Sequence, residues 1–442
     1  MPSKEELKTR VLQEMDKRGD EIIKVAKDIL VNPETGFKEF KTATLVARQF
    51  TEIGLSFKDK LGLTGVKAVV AGGSPGPCAC VLGELDSLIV PDHPFADSKT
   101  GAAHACGHHA QIAMMLGVAL GITKSGVLPH LAGKIAFIAV PAEEYIELEY
   151  RDELRLAGKL HYLGGKPELV RLGEFDGVDL TMMTHTTSRP EDGKLGISST
   201  NNGTVAKRIQ FIGRSAHAGS APHRGINALN AAMLALAAIH VQRETFRDED
   251  TVRVHPIITK GGDAVNAVPA DVRMETFVRG KTTTAIMDAN DKVDRALKAG
   301  ALAVGAKVRI VTLPGYLPVV EYPELQAVYR ASAEALVGRG EVVKRGHTTG
   351  STDMGDLSHI MPILNLSCGG ATGTGHGSDY VIQDYNLAVL TAAKAMALTV
   401  VDLLADGAIK AKEVLAKSKP PMTKEQYLSF MDSLLKEDEF QG

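Results

Sequence analysis

The chain has 442 residues, of which 44% are hydrophobic and 44 are glycine, so it can bury more than one core. We therefore expect two globular domains and no extended disorder. The 50 basic and 53 acidic residues leave a net charge of -3, which offers no basic field to nucleic acid or to a membrane surface. Small molecules are the predicted partners.

Neither a secretory signal nor a membrane span is predicted at the amino terminus. Residues 1–20 alternate charged and apolar side chains without an uninterrupted apolar stretch, and we expect a cytoplasmic location. Four cysteines are too few for a disulfide framework in a chain of this length. Cys78, Cys80 and Cys368 lie in apolar runs and are predicted core residues.

Four apolar runs are predicted to be buried strands of an α/β sheet. They span residues 78–85, 134–140, 180–184 and 361–368. Helical patterns such as 111–121 and 387–404 lie between or after these runs. Polar residues with metal-binding potential stand at the ends of the runs, and the carboxyl ends of strands are where such sheets bind ligands.

The middle of the chain has a different pattern, with alternating segments around two helical ones. The predicted order is strand 203–213, helix 226–245, strands 251–259 and 270–279, helix 284–304 and strand 306–313. This βαββαβ order is typical of a ferredoxin-like unit. We expect residues 203–313 to be inserted as a lid or dimerisation domain between 1–202 and 314–442, the two parts of the α/β domain. Apolar residues at helical spacing near the carboxyl end predict a helical tail.

One group of motifs predicts a metal centre. It comprises His104-Ala-Cys106-Gly-His108-His109, the pair Glu143-Glu144, and the single histidines His185 and His376. Divalent metals bind thiolate, imidazole and carboxylate together, and a hydrolytic site also needs a carboxylate that is free of the metal. The sequence supplies both kinds of group.

Each of these residues also has a simpler interpretation. A lone Glu-Glu pair would usually cap a strand end in solvent, and only the histidine cluster favours function for Glu143 and Glu144. Cys106 could be a small core residue. Asp86 either orients a metal-bound imidazole or forms a strand-end turn, and His104 is expected beside the ligands rather than among them.

The ordered motifs resemble those of a known enzyme group. Together with Gly213-Arg-Ser-Ala-His217-Ala-Gly-Ser-Ala-Pro-His223, they are similar to the dinuclear metal amidohydrolases that include hippurate hydrolase, indole-acetyl amino-acid hydrolases, p-aminobenzoyl-glutamate hydrolase and the glutamate carboxypeptidases. The resemblance runs from about residue 20 to about residue 405. It implies a homodimer, or a higher homo-oligomer, with a metallopeptidase-like catalytic α/β domain and a smaller dimerisation domain.

The resemblance also implies roles for individual residues. Two divalent ions per subunit would be held by Cys106, His108, Glu144, His185 and His376, with Cys106 in or near the bridging position. The resemblance makes Glu143 the general base. Zinc or manganese fits this ligand set, with cobalt and nickel as further candidates. Relatives commonly have aspartate where this chain has His109, so the role of His109 stays open.

Residues of the inserted domain complete the implied site. In relatives, the histidine that corresponds to His217 reaches the partner's active site and stabilises the carbonyl oxygen; alternatively, His217 and His223 cap local turns. Asn266 and Arg279 would bind the substrate carboxylate, or Arg279 could be an exposed strand-end residue. The segment with Asp353 and Asp356 resembles the p-aminobenzoyl-glutamate hydrolase branch.

We therefore expect a metal-dependent amidohydrolase that cleaves the amide bond of N-acyl or N-aroyl amino acids. A dipeptidase or carboxypeptidase of the same family is the alternative within the enzyme class. A catalytically silent, metal-stabilised binding dimer is the alternative outside it. The presence of Glu143 argues against the silent dimer, because a structural metal site has no use for a free base.

Overall fold

The computed structural model describes residues 2–442. It contains a large sheet with parallel and antiparallel strands, called here the main sheet, with helices packed on it. Its eight strands lie in the order Phe57–Leu61, Gly65–Ala71, Ala132–Val140, Ser74–Glu84, Leu180–Thr186, Ile363–Cys368, Leu195–Ile197 and Val342–Lys344. The predicted α/β class is confirmed.

Four neighbouring strands at the centre of the main sheet are mutually parallel. They are Ala132–Val140, Ser74–Glu84, Leu180–Thr186 and Ile363–Cys368, and they coincide with the four predicted apolar runs. Their side chains are buried almost throughout, as expected for strands covered on both faces. Their carboxyl ends therefore meet at one edge, where the polar motifs follow.

Helices cover this sheet. Those of the main-sheet unit are Lys4–Lys17, Gly19–Leu30, Phe40–Ile53, His108–Lys124, Leu148–Leu156, Gly165–Arg171, Pro323–Val337, Met354–Ser358, Ala392–Leu404, Ile409–Lys417 and Lys424–Leu434. His108–Lys124 is apolar on all sides except at its ends and is buried nearly throughout. It packs on the strand Ser74–Glu84, so its first turn, with His108, lies near the end of that strand.

The apolar helical segment Asn386–Leu404 is long and apolar enough to cross a membrane by length and composition alone. Within the fold, 72% of its most apolar window is buried. It begins with a π-helical stretch, Asn386–Thr391, and continues as the helix Ala392–Leu404, which packs on His108–Lys124.

A second sheet of six strands is built mainly from the middle of the chain. Its strands are Gly203–Ile212, Arg253–Val254, Ile257–Lys260, Asp271–Gly280, Lys307–Pro314 and Lys436–Gln441, and the helices Ala228–Val241 and Thr283–Val304 pack on it. Buried and half-buried residues alternate along Asp271–Gly280, which matches a sheet with one covered face. The predicted strand 251–259 is interrupted at Pro256, which has no N–H for the ladder.

The carboxyl-terminal tail contributes to both units. The helix predicted there spans Lys424–Leu434 and buries Tyr427 and Leu434. Beyond it, Lys436–Gln441 forms a strand that pairs antiparallel with Lys307–Pro314 of the second sheet. Helical spacing of apolar residues could not predict this strand, because Phe440 is its one hydrophobic side chain.

Candidate metal centre and active-site cavity

The predicted metal-binding residues all lie at the carboxyl edge of the four parallel strands. Glu143 and Glu144 follow Ala132–Val140, His185 is near the end of Leu180–Thr186, and His376 is in the loop after Ile363–Cys368. Cys106 and His108 enter from the start of the helix that packs on the same sheet.

The first of two ligand groups contains Cys106, His108 and His185, whose candidate ligand atoms all lie within 4.8 Å of one another. Cys106 Sγ is 3.1 Å from His185 Nε2. His108 Nδ1 is 3.0 Å from the carbonyl oxygen of Asp86, which suits an N–H donor at Nδ1 and leaves Nε2 for a metal.

The second group contains Cys106, Glu144 and His376, again within 4.8 Å of one another. Glu144 Oε1 is 3.3 Å from His376 Nε2. His376 has a φ of 66°, a strained conformation for a non-glycine residue, and its N–H donates to the carbonyl of Ala105 at 2.9 Å. Cys106 belongs to both groups, so its sulfur is the atom that two bound ions would share.

The donor atoms fit divalent ions. His108 Nε2 and Glu144 Oε1 are buried yet make no hydrogen bond, which is unusual for buried polar atoms unless another ligand uses them. Burial and the neighbouring Glu144 raise the pKa of the Cys106 thiol well above its usual value, and a coordinated cation is what would deprotonate such a thiol. Thiolate, imidazole and carboxylate together suit zinc, and manganese remains compatible.

Glu143 belongs to neither of the two groups that share Cys106. Burial raises its pKa well above the usual value, and the neighbouring carboxylates Glu84 and Glu144 raise it further. Its Oε2 atom lies 4.0 Å from His108 Nε2. A carboxyl group with a raised pKa beside a metal centre can accept a proton and return it.

The loop that carries both glutamates is fixed through its backbone. Arg151, which is fully buried, donates to the carbonyls of Ala142 and Glu144, and the Tyr316 hydroxyl donates to the carbonyl of Glu143 at 2.5 Å. The backbone N–H of Glu144 donates to Asp86 Oδ2 at 2.9 Å. Sequence reasoning missed Arg151 and Tyr316, which come from elements with no recognisable motif.

A cavity of about 360 Å³ opens beside the metal-binding side chains. Arg279 lines it, half-buried, with its guanidinium 5.4 Å from the centre of the Phe277 ring and with Nε free of any hydrogen-bond partner. Much of the remaining wall is polar and includes Ser198, Ser199, Asn201, Arg345, Thr348, Thr352 and Asn365. The cavity can therefore accept a ligand that carries anionic and hydrogen-bonding groups.

His217 and Asn266 are close to each other but do not line this cavity. Both are exposed, and the N–H of Ala218 donates to the Asn266 carbonyl at 2.9 Å. His217 Nδ1 accepts from the backbone N–H groups of Gly219 and Ser220, both at 3.1 Å. Within one chain His217 therefore makes the local turn-capping contacts that the sequence left open.

The other residues singled out from the sequence are buried. The rings of His104 and His109 are 5.2 Å apart, and His109 also packs against the ring of Tyr385. Both ring nitrogens of His104 lack a hydrogen-bond partner. Asp353 forms an ion pair with Lys166, and Asp356 accepts a hydrogen bond from Tyr427 at 3.0 Å.

A family model described as peptidase family M20/M25/M40 matches residues 80–400. The chain belongs to this family. The resemblance predicted from the motifs is therefore confirmed.

Named relatives of this family member include an N-acyl-L-amino acid amidohydrolase from Geobacillus stearothermophilus, which is 29% identical over 73% of this chain and 82% of its own length. Thermostable carboxypeptidase 2 from Saccharolobus solfataricus is 29% identical over 69% of this chain and 75% of its own length. A similar solved structure is a dinuclear metal-binding M20 peptidase from Bacillus subtilis, with a TM-score of 0.62 and 21% identity over 86% of this chain and 97% of that one. At that identity, the structural likeness establishes the fold.

Proposed function

We propose that this chain is a metal-dependent amidohydrolase that cleaves N-acyl or N-aroyl amino acids with the help of two divalent ions. The observation that carries the proposal is the pair of ligand groups joined at Cys106, with Glu143 beside them but outside both. A structural metal site would not need that additional buried carboxylate.

The proposed ligands are Cys106, His108, Glu144, His185 and His376. Two ions bound there would acidify a water molecule and polarise the substrate carbonyl. Glu143 takes the proton from the attacking water and delivers it to the leaving nitrogen, which a carboxyl group with a raised pKa can do in both directions. Zinc and manganese are the favoured metals, followed by cobalt and nickel.

Arg279 supports a substrate with a free carboxylate. Its guanidinium lines the cavity that Glu143 also lines, and a planar guanidinium can donate to both oxygens of a carboxylate. The first relative is named for N-acyl amino acids and the second for carboxypeptidase activity. A carboxypeptidase or dipeptidase is thus the second candidate, with the same chemistry and a different group on the acyl side.

The active enzyme is proposed to be a homodimer in which His217 and Asn266 of one copy complete the cavity of the other. Three observations support this arrangement. Both residues are exposed and outside the cavity of their own chain. The nearby strand Ile257–Lys260 exposes Ile257 and Ile258, by 59% and 39%. The helix Ala228–Val241 exposes Met233, by 58%. Apolar exposure on one unit is typical of an interface.

A substrate panel tests the proposal. The metal-free protein, reloaded with zinc, manganese or cobalt, is incubated with N-acetyl and N-benzoyl amino acids, p-aminobenzoyl-glutamate and dipeptides, and release of the free amino acid is measured. The matched controls are the same compounds with an α-carboxamide. We expect turnover only with metal, and much slower turnover of the α-carboxamides than of the substrates with a free carboxylate. Bound metal without turnover of any compound would instead support the silent binding dimer.

A further inference from the structure

A buried chain of three charged residues ends at the proposed metal centre. Lys166 Nζ is 2.6 Å from Glu84 Oε1, and it also pairs with Asp353 Oδ1. The backbone N–H of Lys166 donates to the other oxygen of Asp353 at 3.2 Å. All three side chains are fully buried, so these contacts fix the Glu84 carboxylate in one orientation.

The second oxygen of Glu84 faces His108, one of the proposed metal ligands. Glu84 Oε2 lies 3.2 Å from His108 Nε2, and neither atom has a hydrogen-bond partner although both are buried. His108 uses its other ring nitrogen for the Asp86 carbonyl. Two unpaired buried acceptor atoms at this separation have the spacing of ligands around a common cation.

The local charge balance also favours a cation. Glu84, Glu143 and Asp353 are buried together, and Lys166 is the positive side chain that contacts two of them. Buried carboxylates are stable when each is paired or bound to a metal. A structural ion pair with Lys166 would account for Glu84 Oε1 but not for Oε2.

We propose that Glu84 is a sixth metal ligand, which binds through Oε2 to the ion held by His108, and that Lys166 and Asp353 are positioning residues for it. This inference rests on the proposed function for the presence of the ions. It adds a carboxylate to the ion on His108, where candidate ligand atoms of Glu84, His108 and Glu143 lie within 4.8 Å of one another.

Anomalous diffraction from crystals grown with zinc or manganese tests the contact directly. We expect an ion on His108 Nε2 with Glu84 Oε2 at about 2.0–2.2 Å, the range for carboxylate ligands of zinc. An ion on His108 with the Glu84 oxygens beyond about 3 Å, outside that range, overturns the inference. The proposed function would survive that result.

Metal affinity in solution gives a second readout that does not depend on turnover. Glu84→Gln keeps a hydrogen bond to Lys166 but removes the charge, and Asp353→Asn makes the same change at the far side of Lys166. Zinc affinity is measured for both by competition with a chromophoric chelator. We expect one of the two sites to weaken at least about tenfold in Glu84→Gln and by a clearly smaller factor in Asp353→Asn, which removes no proposed ligand.

Thermal unfolding of the two metal-free variants controls for folding. Equal weakening of zinc binding in both variants, or none in either, means that Glu84 acts only as a structural partner of Lys166 and overturns the inference. A wild-type protein that binds none of zinc, manganese, cobalt and nickel overturns the proposed function together with this inference.

Discussion

The carboxyl edge of the main sheet and the loops of the second sheet carry the two halves of the proposed site, and they differ in completeness. At the main sheet, residues up to 270 positions apart, from Cys106 to His376, converge within one chain. At the second sheet, His217 and Asn266 are exposed and contact only their own loops. Arg279 alone of the three second-sheet residues lines the cavity.

The difference lies in how each half is held. The main-sheet residues are fixed by buried contacts, such as those from Arg151 and Tyr316 to the glutamate loop. The second-sheet loops are joined to each other by backbone hydrogen bonds, such as that from Ala218 to Asn266. In the proposed homodimer, each subunit would supply its own metal ligands and general base, and His217 of the other copy would stabilise the substrate carbonyl.

Replacement of Glu143 should have the largest effect. Glu143→Gln removes the proton acceptor but no proposed ligand, so kcat should fall about 10²- to 10⁴-fold with unchanged metal content by elemental analysis. Glu144→Gln is the control and should lose metal. If Glu143→Gln loses metal instead, the roles of the two glutamates are reversed.

Replacement of His217 tests whether the second half comes from another copy. His217→Ala should lower kcat about 10²- to 10³-fold, the cost of an oxyanion donor. Mixing and reassociating it with Glu143→Gln should restore roughly a quarter of the wild-type activity, because about half of the dimers are mixed and each has one intact site. No recovery on mixing, with dimers confirmed by light scattering, contradicts the shared site.

A smaller effect is expected for Arg279→Lys, which keeps the charge but loses the two-pronged contact. KM for an N-acyl amino acid should rise about 10- to 100-fold with little change in kcat. The corresponding α-carboxamide substrate serves as the control, because its hydrolysis should be equally slow in the variant and the wild type. A parallel loss for both substrates would show that Arg279 does not bind the carboxylate.

The smallest effect concerns Glu39, which binds the backbone N–H of Ala142 at 2.8 Å in the glutamate loop. Burial, helped by Asp86, raises its pKa from 4.5 to about 7. The folded state therefore binds the proton of Glu39 more tightly than the unfolded state does. The stability that this provides is fully present below about pH 4.5 and is lost as the pH rises through about 7.

Glu39→Gln removes that titration. The free energy of unfolding is measured with urea at about pH 5 and about pH 8. Between these two pH values it should fall in the wild type by on the order of 1–3 kcal/mol more than in the variant. Parallel profiles for the two proteins would mean that Glu39 titrates alike when folded and unfolded.

Much of this could be predicted from sequence, for physical reasons. Buried parallel strands appear as continuous apolar runs, and the site residues Glu143 and His185 lie within a few positions of the ends of such strands. Paired motifs such as Cys106 and His108 then identify the chemistry.

Other residues left no such signal. Lys166 and Arg151 are charged residues in short helices and would be assigned to the surface, yet both are fully buried. The partners of Lys166 are carboxylates 82 and 187 positions away, and those of Arg151 are backbone carbonyls of the neighbouring loops, which carry no sequence signal. Glu84 offered one usable sign, a charge that ends an otherwise apolar strand. The proposed contact between subunits likewise has no local sequence pattern and is expected only from the family resemblance.

The strand Lys436–Gln441 gives the second sheet two unlike borders. Lys436–Gln441 is the edge strand on one side of the sheet and carries Lys436, Glu437, Asp438 and Glu439. The strand Ile257–Lys260 lies on the other side and carries Ile257 and Ile258. Charged outer strands resist further strand addition, whereas apolar ones invite it. In the proposed homodimer, two copies would pair on the side of Ile257 and Ile258, and the charged strand Lys436–Gln441 would disfavour the addition of a third copy at the other edge.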